Sequence, residues 1–439
     1  MWIIPLIFLG CAIMSYIYLP TETVFQLSEL PVNNKSLCIL FSILSTVTFI
    51  RDFLDSRKRI RARENVTPTS APHTSPNLKP HAMTMRGVII ERYGEDSVTV
   101  SDVVPRPELN YVDEVLVRVR AASVNPVDIQ ISNGKGQALC NSMRSMRGMP
   151  AGGGKEFPVI LGRDFSGVVE RVGSKVTKVK VGDEVWAAIP FYHRGGAMGE
   201  YVLVTEADIA KKPQGISHQD AATLPFVACT VWCSLVRTAV VGSKRTKQQR
   251  VLITGGTGGI GTFATQLIKA WGGHVTATCR DSYGARMLKN LRVDEVVNVS
   301  EVDLESALID KPKFDVIIDT VGSSVRQACF KLCTRGSYLV SFVTPVMDDA
   351  EKYGMMIGSF VSNVSKMKLA WQSGLNFSWS FCLPEGKILD SVTKYVEAKK
   401  IRPVVDQIYR LEETKKAFKH VAEGHPKGKV VITFDGGRK

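Results

Sequence analysis

Hydrophobic and polar positions change their spacing more than once along this chain. Residues 1–20 (MWIIPLIFLGCAIMSYIYLP) and 36–50 (SLCILFSILSTVTFI) contain no charged side chain. As helices they would be about 30 Å and about 22 Å long, against a bilayer hydrocarbon core of about 30 Å. Residues 1–50 therefore predict a hydrophobic membrane anchor of one or two spans. The run 51–63 (RDFLDSRKRIRAR) follows at once with six basic and two acidic side chains. Such a positive flank places the rest of the chain on the cytosolic or matrix side. Residues 64–82 are rich in Pro, Ser and Thr and read as a disordered linker, so 51–82 is a basic flank and linker. A cleaved secretory signal would open with charge, and a matrix-targeting peptide would be amphipathic and Arg-rich from its start. Neither describes this N-terminus.

From Met85 the pattern becomes one of short β-branched runs broken by Gly and Pro: MRGVIIERYG, DEVLVRVRAASV, FSGVVERVG and GDEVWAAI. Alternation of apolar and polar positions predicts antiparallel strands with one buried face, a β-barrel-like domain to about residue 214. Residues 133–155 (NGKGQALCNSMRSMRGMPAGGGK) are rich in Gly, Met and Ser and read as a mobile loop at a pocket edge, with solvated Met and Arg side chains.

The period then switches. Residues 217–239 have helical spacing, and the apolar runs 249–254, 274–279, 313–322 and 336–345 alternate with helical stretches. This predicts parallel βαβ units covered on both faces, a doubly wound sheet. The tail holds a strand, a helix from near Leu411, and a last strand, GKVVITF, that can rejoin the first domain. The expected division is a barrel domain from 83–214 and 384–439, and a sheet domain from 215–383.

Composition narrows the classes. The chain has 439 residues, 44% hydrophobic and 22% charged, enough for two or three ordinary globular domains. The mean hydropathy of +0.03 owes most of its excess to the first 50 residues, so the chain is not polytopic. The net charge of +14 includes +4 from residues 51–63. The remainder is dispersed and no nucleic-acid-binding motif accompanies it, so no nucleic-acid partner is expected. The nine cysteines are odd in number and scattered, which argues against a disulfide framework. Two C-x3-C pairs, Cys229/Cys233 and Cys329/Cys333, read as small apolar residues one helical turn apart rather than half metal sites.

The chemistry concentrates at one junction. The strand Val251–Thr254 runs into Gly255-Gly256-Thr257-Gly258-Gly259-Ile260-Gly261, then a helix at 262–271, then a second strand, His274–Cys279. Glycines permit a tight turn and close backbone approach, and the helix N-terminus offers N–H groups to a pyrophosphate. This is a Rossmann dinucleotide signature. At the end of the second strand NAD-binding proteins place an acid for the ribose hydroxyls. Here Cys279 is followed by Arg280 and only then by Asp281. Arg280, supported by Arg286, suits a 2′-phosphate, so NADPH is the expected cofactor.

The motifs from residue 85 onward resemble the zinc-free quinone oxidoreductase branch of the medium-chain dehydrogenases/reductases. The resemblance rests on Ala122-Ser-Val-Asn125-Pro126-Val-Asp128, Phe157-Pro-Val-Ile-Leu-Gly-Arg163-Asp164-Phe-Ser-Gly167, Val181-Gly-Asp-Glu-Val-Trp186, Leu224-Pro225, the glycine run, and Gly424-His425-Pro426-Lys427-Gly428-Lys429. It implies a GroES-like barrel domain joined to a Rossmann domain, and a homodimer joined through the cofactor domains. Zinc-binding relatives carry ligands where Asn125 and Arg163 stand, so no metal is expected. The resemblance implies Asn125 as a hydrogen-bond donor beside the nicotinamide and substrate oxygen, with Asp128 on the same turn as a polarising or proton-supplying group. It maps cofactor contacts onto Thr230, Thr257, Gly258, Gly259, Ile260, Gly261, Cys279, Arg280, Phe342, His425, Pro426 and Lys427. Two departures stand out. Val299 and the region of Lys135 occupy positions where relatives carry tyrosines, so the substrate pocket transfers least.

The function this implies is hydride transfer from NADPH to a quinone or other conjugated carbonyl. In relatives such a reaction supports ubiquinone metabolism and resistance to oxidative stress. A membrane anchor would hold the enzyme where a lipid-soluble quinone partitions. The expected address is a mitochondrial membrane, most simply the outer one, with endoplasmic reticulum as the rival. An alkenal or enoyl double-bond reductase is the second enzymatic reading. A membrane-tethered NADPH-binding scaffold with reticulon-like partners is the reading from another class.

Overall fold

The computed structural model describes residues 84–94, 96–146, 157–193, 195–238, 240–380, 382–424 and 426–434. The expected membrane anchor, basic flank and linker lie outside the described residues, as does His425. The N-terminal part holds β1 (Thr84–Ile90), β2 (Val98–Pro105), β3 (Glu114–Val124), β4 (Val159–Ile160), β5 (Asp164–Val172), β6 (Glu184–Ala188), β7 (Tyr201–Thr205) and β8 (Ile209–Lys211). The middle holds β9 (Arg250–Thr254), β10 (His274–Cys279), β11 (Glu295–Asn298), β12 (Phe314–Asp319), β13 (Cys333–Ser341) and β14 (Asn376–Trp379). The tail adds β15 (Val405–Arg410) and β16 (Lys429–Thr433).

The middle strands form one sheet in the order β11-β10-β9-β12-β13-β14, with every pairing parallel. The order reverses direction between β9 and β12, and in doubly wound sheets ligands bind at that switch, beyond the carboxyl ends of the strands. The sequence of β9 explains its position. Val251, Leu252 and Ile253 are fully buried. Val251 and Ile253 pack into one core while Leu252 packs into another on the opposite face. A strand buried on both faces needs an unbroken apolar run, and each such side chain contributes roughly 1.5–3 kcal/mol.

The second large sheet runs β15-β16-β3-β5-β6-β8, with β7 also paired to β3. β16 pairs antiparallel with β3, matching Val430 to Val124 and Thr433 to Ala121. The C-terminal strand thus closes the first domain, more than three hundred residues after β3. A third, three-stranded sheet, β2-β1-β4, covers the barrel.

Two sequence expectations change. Residues 217–239 are not one continuous helix. Ser217 caps a short turn, His218–Ala221, a second helix starts at Pro225 and runs to Val231, and Trp232–Val236 is a π-helical turn. Proline lacks an N–H and suits the first position of a new helix, which is why the break falls there. By length and composition His218–Val236 alone among the described residues could cross a membrane, but 61% of its apolar window is buried within the protein. It is a core element between the two sheets. The second change concerns residues 133–155. Gln137–Met146 is a helix, not a mobile loop. Leu139, Cys140 and Met143 line its inner face at helical spacing, and Arg144 is buried with its Nε donating to the Tyr192 carbonyl. This helix faces another, Val346–Tyr353, from the sheet domain. The Ala138 N–H donates to Glu351 at 3.2 Å, and Lys135 lies 3.6 Å from Asp348. The two domains therefore touch along this edge as well as through the β16 return.

Candidate functional site

The glycine turn follows β9 at the switch point. Gly255 has φ of 67°, a conformation that a side chain disfavours. Its N–H donates to Thr278 Oγ1, and the Gly256 N–H to the Thr278 carbonyl, each at 2.9 Å, which lays the turn against β10. A Cβ on Gly256 would stand 2.8 Å from Ala277 Cβ, and one on Gly261 would stand 2.6 Å from the Gly255 carbonyl oxygen. A Cβ on Gly258 would meet only the Gly255 oxygen, at 3.7 Å. The space before Gly258 is therefore open, while the protein itself fills the space behind Gly256 and Gly261. Gly258 is the N-cap of the helix Gly259–Ala270 and no side chain caps it. The first-turn N–H groups are thereby available to an anion. This cradle fits a dinucleotide pyrophosphate.

The C-terminal loop lies along the cradle. Gly428 N–H donates to the Thr257 carbonyl at 2.8 Å, and Gly258 and Gly428 form an isolated parallel bridge. Pro426 and Lys427 are half-buried beside it. Lys427 Nζ lies 2.8 Å from Asp281 and 4.9 Å from the centre of the exposed Tyr283 ring. Asp281 also caps the helix Ser282–Asn290 by accepting from Gly284 N–H at 2.6 Å. Lys427 and these donors hold its carboxyl below the usual carboxylate range. The acid nearest the ribose position is thus occupied with a cap and an ion pair, and Arg280 before it is exposed.

The remaining expected cofactor residues fall at the same end of the sheet with unequal freedom. Thr257 and Ile260 are half-buried in the turn. Cys279 is buried and burial pushes its thiol up, so it offers only backbone; its carbonyl accepts from Val299 N–H at 2.9 Å. Phe342 follows β13, half-buried, with its N–H on the Asp319 carbonyl at 2.7 Å. Thr230 is half-buried and its hydroxyl donates to the Phe226 carbonyl at 2.6 Å. Its helix, Pro225–Val231, reaches the cradle through Val227, which lies 3.2 Å from where a Gly259 Cβ would stand.

Across the cradle lies a buried polar cluster drawn from four segments. Asn125 caps the helix Pro126–Ser132, with a reciprocal capping box to Asp128. Asn125 N–H donates to Asp128 Oδ2 at 2.8 Å, and Gly162 N–H to Asp128 Oδ1 at 3.0 Å. Asn125 Oδ1 accepts from Lys429 Nζ at 2.7 Å, and its Nδ2 donates to Asp164 Oδ1 at 3.2 Å and to the Ser123 carbonyl at a long 3.5 Å. Asp164 Oδ1 also accepts from Ser123 Oγ at 2.6 Å. Arg163 donates to the His193 carbonyl at 2.9 Å, and its Nε lies 3.9 Å from Asp128. Lys429 Nζ donates in addition to the Val124 carbonyl at 2.9 Å, and its stem lies against Gly259.

Two acids and two bases thus balance inside the protein. Burial raises Asp128 to about 6, against the pull of Arg163. Burial likewise raises Asp164, opposed chiefly by Lys429, and lowers Lys429, opposed chiefly by Asp164. Desolvation of each charge is the larger effect and its partner the smaller. Asp128 and Asp164 are wholly buried, and Asp128 anchors the Asn125 turn by accepting from the Asn125 and Gly162 N–H groups. Lys429, Asp164 and Ser123 were not singled out as site residues from sequence. Lys429 and Asp164 sit in motifs that pointed to the fold, but only the β16–β3 pairing brings Lys429 to Asn125.

Among the described residues no group of three or more His, Cys, Asp or Glu could hold a metal ion. Arg163 places a buried cation 3.9 Å from Asp128.

A parallel sheet with a glycine cradle at its switch point, closed by a barrel whose last strand returns from the C-terminus, is the architecture of a two-domain dinucleotide-binding oxidoreductase. The chain matches the alcohol dehydrogenase GroES-like domain family over residues 112–214 and the zinc-binding dehydrogenase family over 291–432. It is 36% identical over 352 residues to the mitochondrial NAD(P)H oxidoreductase RTN4IP1 of Danio rerio, covering 79% of this chain and 90% of that protein. It is 36% identical over 360 residues to the Homo sapiens protein of the same name, covering 80% and 90%. Among solved structures it resembles the quinone oxidoreductase from Coxiella burnetii, with a TM-score of 0.66 and 26% identity over 80% of this chain and 99% of that one. The chain belongs to the medium-chain dehydrogenase/reductase family, in the group of oxidoreductases that includes those RTN4IP1 proteins.

Proposed function

We propose that this chain is a zinc-independent, NADPH-dependent oxidoreductase that passes hydride to a quinone. The observation that carries the cofactor choice is the double engagement of Asp281 as helix cap and partner of Lys427, beside the exposed Arg280. An acid so engaged does not compete with a 2′-phosphate, and the two basic side chains supply its charge. NADPH, when bound, supplies the hydride, and with one proton from solvent a quinone becomes a hydroquinone. The chain's part is to bind and orient. The cradle around Gly258 fixes the pyrophosphate. Lys429 and Asp164 hold the Asn125 amide in one orientation, and its long contact to Ser123 leaves one Nδ2–H weakly engaged and available to an oxygen that gains charge. The quinone reading draws support from the likeness to the Coxiella burnetii quinone oxidoreductase, and the mitochondrial address from the relatives' names. Residues 1–50 would hold the enzyme at a mitochondrial outer membrane, within reach of a ubiquinone-like substrate, in a role in ubiquinone metabolism and oxidative-stress resistance.

The test is NADPH consumption by the detergent-solubilised full chain with a short-chain benzoquinone, beside Asn125→Ala and Arg280→Ala. Turnover that falls in the first, and a preference for NADPH over NADH that drops about tenfold in the second (about 1.4 kcal/mol), support the reading. Turnover on an enal or enoyl thioester instead would move the assignment to a double-bond reductase. Binding without turnover on any of these would leave a scaffold for reticulon-like partners.

We also propose a homodimer through the sheet domains. The helix Met355–Ser373 exposes Met356, Ile357, Phe360, Val364, Met367 and Trp371, and it packs beside the edge strand β14. An apolar stripe of this extent on a globular protein marks an interface. Phe360→Asp should halve the mass seen by light scattering, and a monomeric wild type would remove the proposal.

A further inference from the structure

The C-x3-C spacing sets Cys229 and Cys233 one helical turn apart, but the fold gives Cys233 a different neighbour. Its Sγ lies 3.2 Å from the Sγ of Cys382, 149 positions away. Both are free thiols. Cys233 sits in the π-helical turn Trp232–Val236, and Cys382 in the link between β14 and the helix Gly386–Glu397. Polar contacts pin the two segments on either side of the sulfurs. Ser234 and Ser380 share a hydroxyl hydrogen bond of 2.7 Å, and Arg237 Nη2 lies 2.7 Å from Glu385. Cys233 Sγ is also 3.7 Å from the Leu383 carbonyl. The two sulfurs thus face each other at 3.2 Å, against an S–S bond of about 2 Å.

We propose that Cys233 and Cys382 are a reversible thiol–disulfide site, oxidised by a peroxide. The thiolate of Cys233 attacks one peroxide oxygen and the O–O bond breaks. With one proton taken up, a water leaves and a sulfenic acid remains on Cys233. The Cys382 sulfur then attacks that sulfur and the S–O bond breaks. The Cys382 proton joins the departing hydroxide as a second water. Two thiols have lost two electrons and two protons, and the peroxide has become two waters. The arrangement sorts the roles. The Cys382 S–H donates to Cys233 and favours the Cys233 thiolate, with Arg237 adding to it. Burial pushes the Cys229 and Cys329 thiols up, so neither competes as the attacking group.

The bond has a consequence for the cofactor half of the molecule. Thr230 lies one turn before Ser234, and Ser380 N–H donates to the Ser341 carbonyl at 2.8 Å, immediately before Phe342. A Cys233–Cys382 bond therefore ties the segment that carries Thr230 to the one hydrogen-bonded beside Phe342.

The test uses the full-length purified protein. It is treated with hydrogen peroxide, blocked with N-ethylmaleimide, digested without reductant and read by mass spectrometry. The expected product is one linked peptide pair containing Cys233 and Cys382, lighter by two hydrogens than the separate reduced peptides and released by dithiothreitol. The Cys382→Ser variant should lose the link and trap dimedone on Cys233, while Cys229→Ser should keep the link. Circular dichroism shows whether each variant is folded. Full alkylation of both cysteines after peroxide, a Cys229–Cys233 link, or a sulfinic acid on Cys233 with Cys382 alkylated would each overturn the proposal.

Discussion

The two polar regions that meet at Gly259 are built in opposite ways. On one side the cofactor cradle is one contiguous run of seven residues, and its chemistry is backbone N–H groups and empty space. On the other, the cluster around Asn125 is made of side chains from segments at 123–128, 162–164 and 429, with hydrogen bonds spanning up to 305 positions. The cradle needs what is missing, a Cβ at Gly256, Gly258 and Gly261. The cluster needs what is present, four charges that neutralise each other away from water. The first is damaged by adding an atom, the second by removing a charge.

That contrast is broken most severely at Lys429. Lys429→Met leaves Asp128 and Asp164 with one buried cation. It should cost about 3–5 kcal/mol in urea unfolding, the range for removing one partner of a buried pair. A loss below about 1 kcal/mol would mean that the acids are not held ionised in the fold.

Next comes pH. Asp128 rises from its ordinary 3.8 to about 6 on folding. The folded state then holds the proton more tightly, so this group's contribution to stability falls as pH climbs through that window and is flat above it. Two pKa units correspond to about 3 kcal/mol. Burial shifts His193, His218 and His274 downward, which works in the opposite direction, so the total curve mixes signs. The difference between Asp128→Asn and wild type isolates the one group. It should move in the variant's favour by about 2.4 kcal/mol between pH 4 and pH 7, and a pH-independent difference would contradict the raised value.

The cradle is sharpened by Gly258→Ala, because that Cβ has room within the protein. Unfolding should change by less than about 0.5 kcal/mol, while the NADPH dissociation constant rises roughly tenfold or more, about 1.4 kcal/mol upward. Equal losses in both would show that Gly258 serves the fold rather than the phosphates. The smallest effect is expected at Lys427→Ala. Its pair with Asp281 is partly exposed, with side-chain accessibilities of 31% and 46%, so stability should fall by less than about 1 kcal/mol. Cofactor affinity should fall more than stability does, in a titration monitored by nicotinamide fluorescence.

Where sequence reading succeeded, the cause was local. The β-branched runs in 85–124 and 165–189 mark strands, and β1, β3, β5 and β6 appear there, but β3 and β6 are buried on both faces rather than on the one expected, because sheets and helices cover them from either side. The strand His274–Cys279 was legible to the residue. Where it failed, distant partners decided. Residues 137–146 look polar and loose as a string. They become a helix because Leu139, Cys140 and Met143 find a core, and because the Tyr192 carbonyl waits for Arg144. The helical run 217–239 breaks because Pro225 starts a new helix, and the sequence spacing alone hid that boundary.

The sequence by itself determined the parallel sheet, the position and openness of the glycine turn, and the return of the last strand. All three are encoded in periodicity and in residues that act through their own backbone. Only the tertiary structure decided that Asp281 is a cap and an ion-pair partner, that Lys429 reaches Asn125, and that Cys233 faces Cys382 rather than Cys229. Charges and thiols act through space over a few ångströms, and no one-dimensional spacing records which distant segment will supply the other half of the pair.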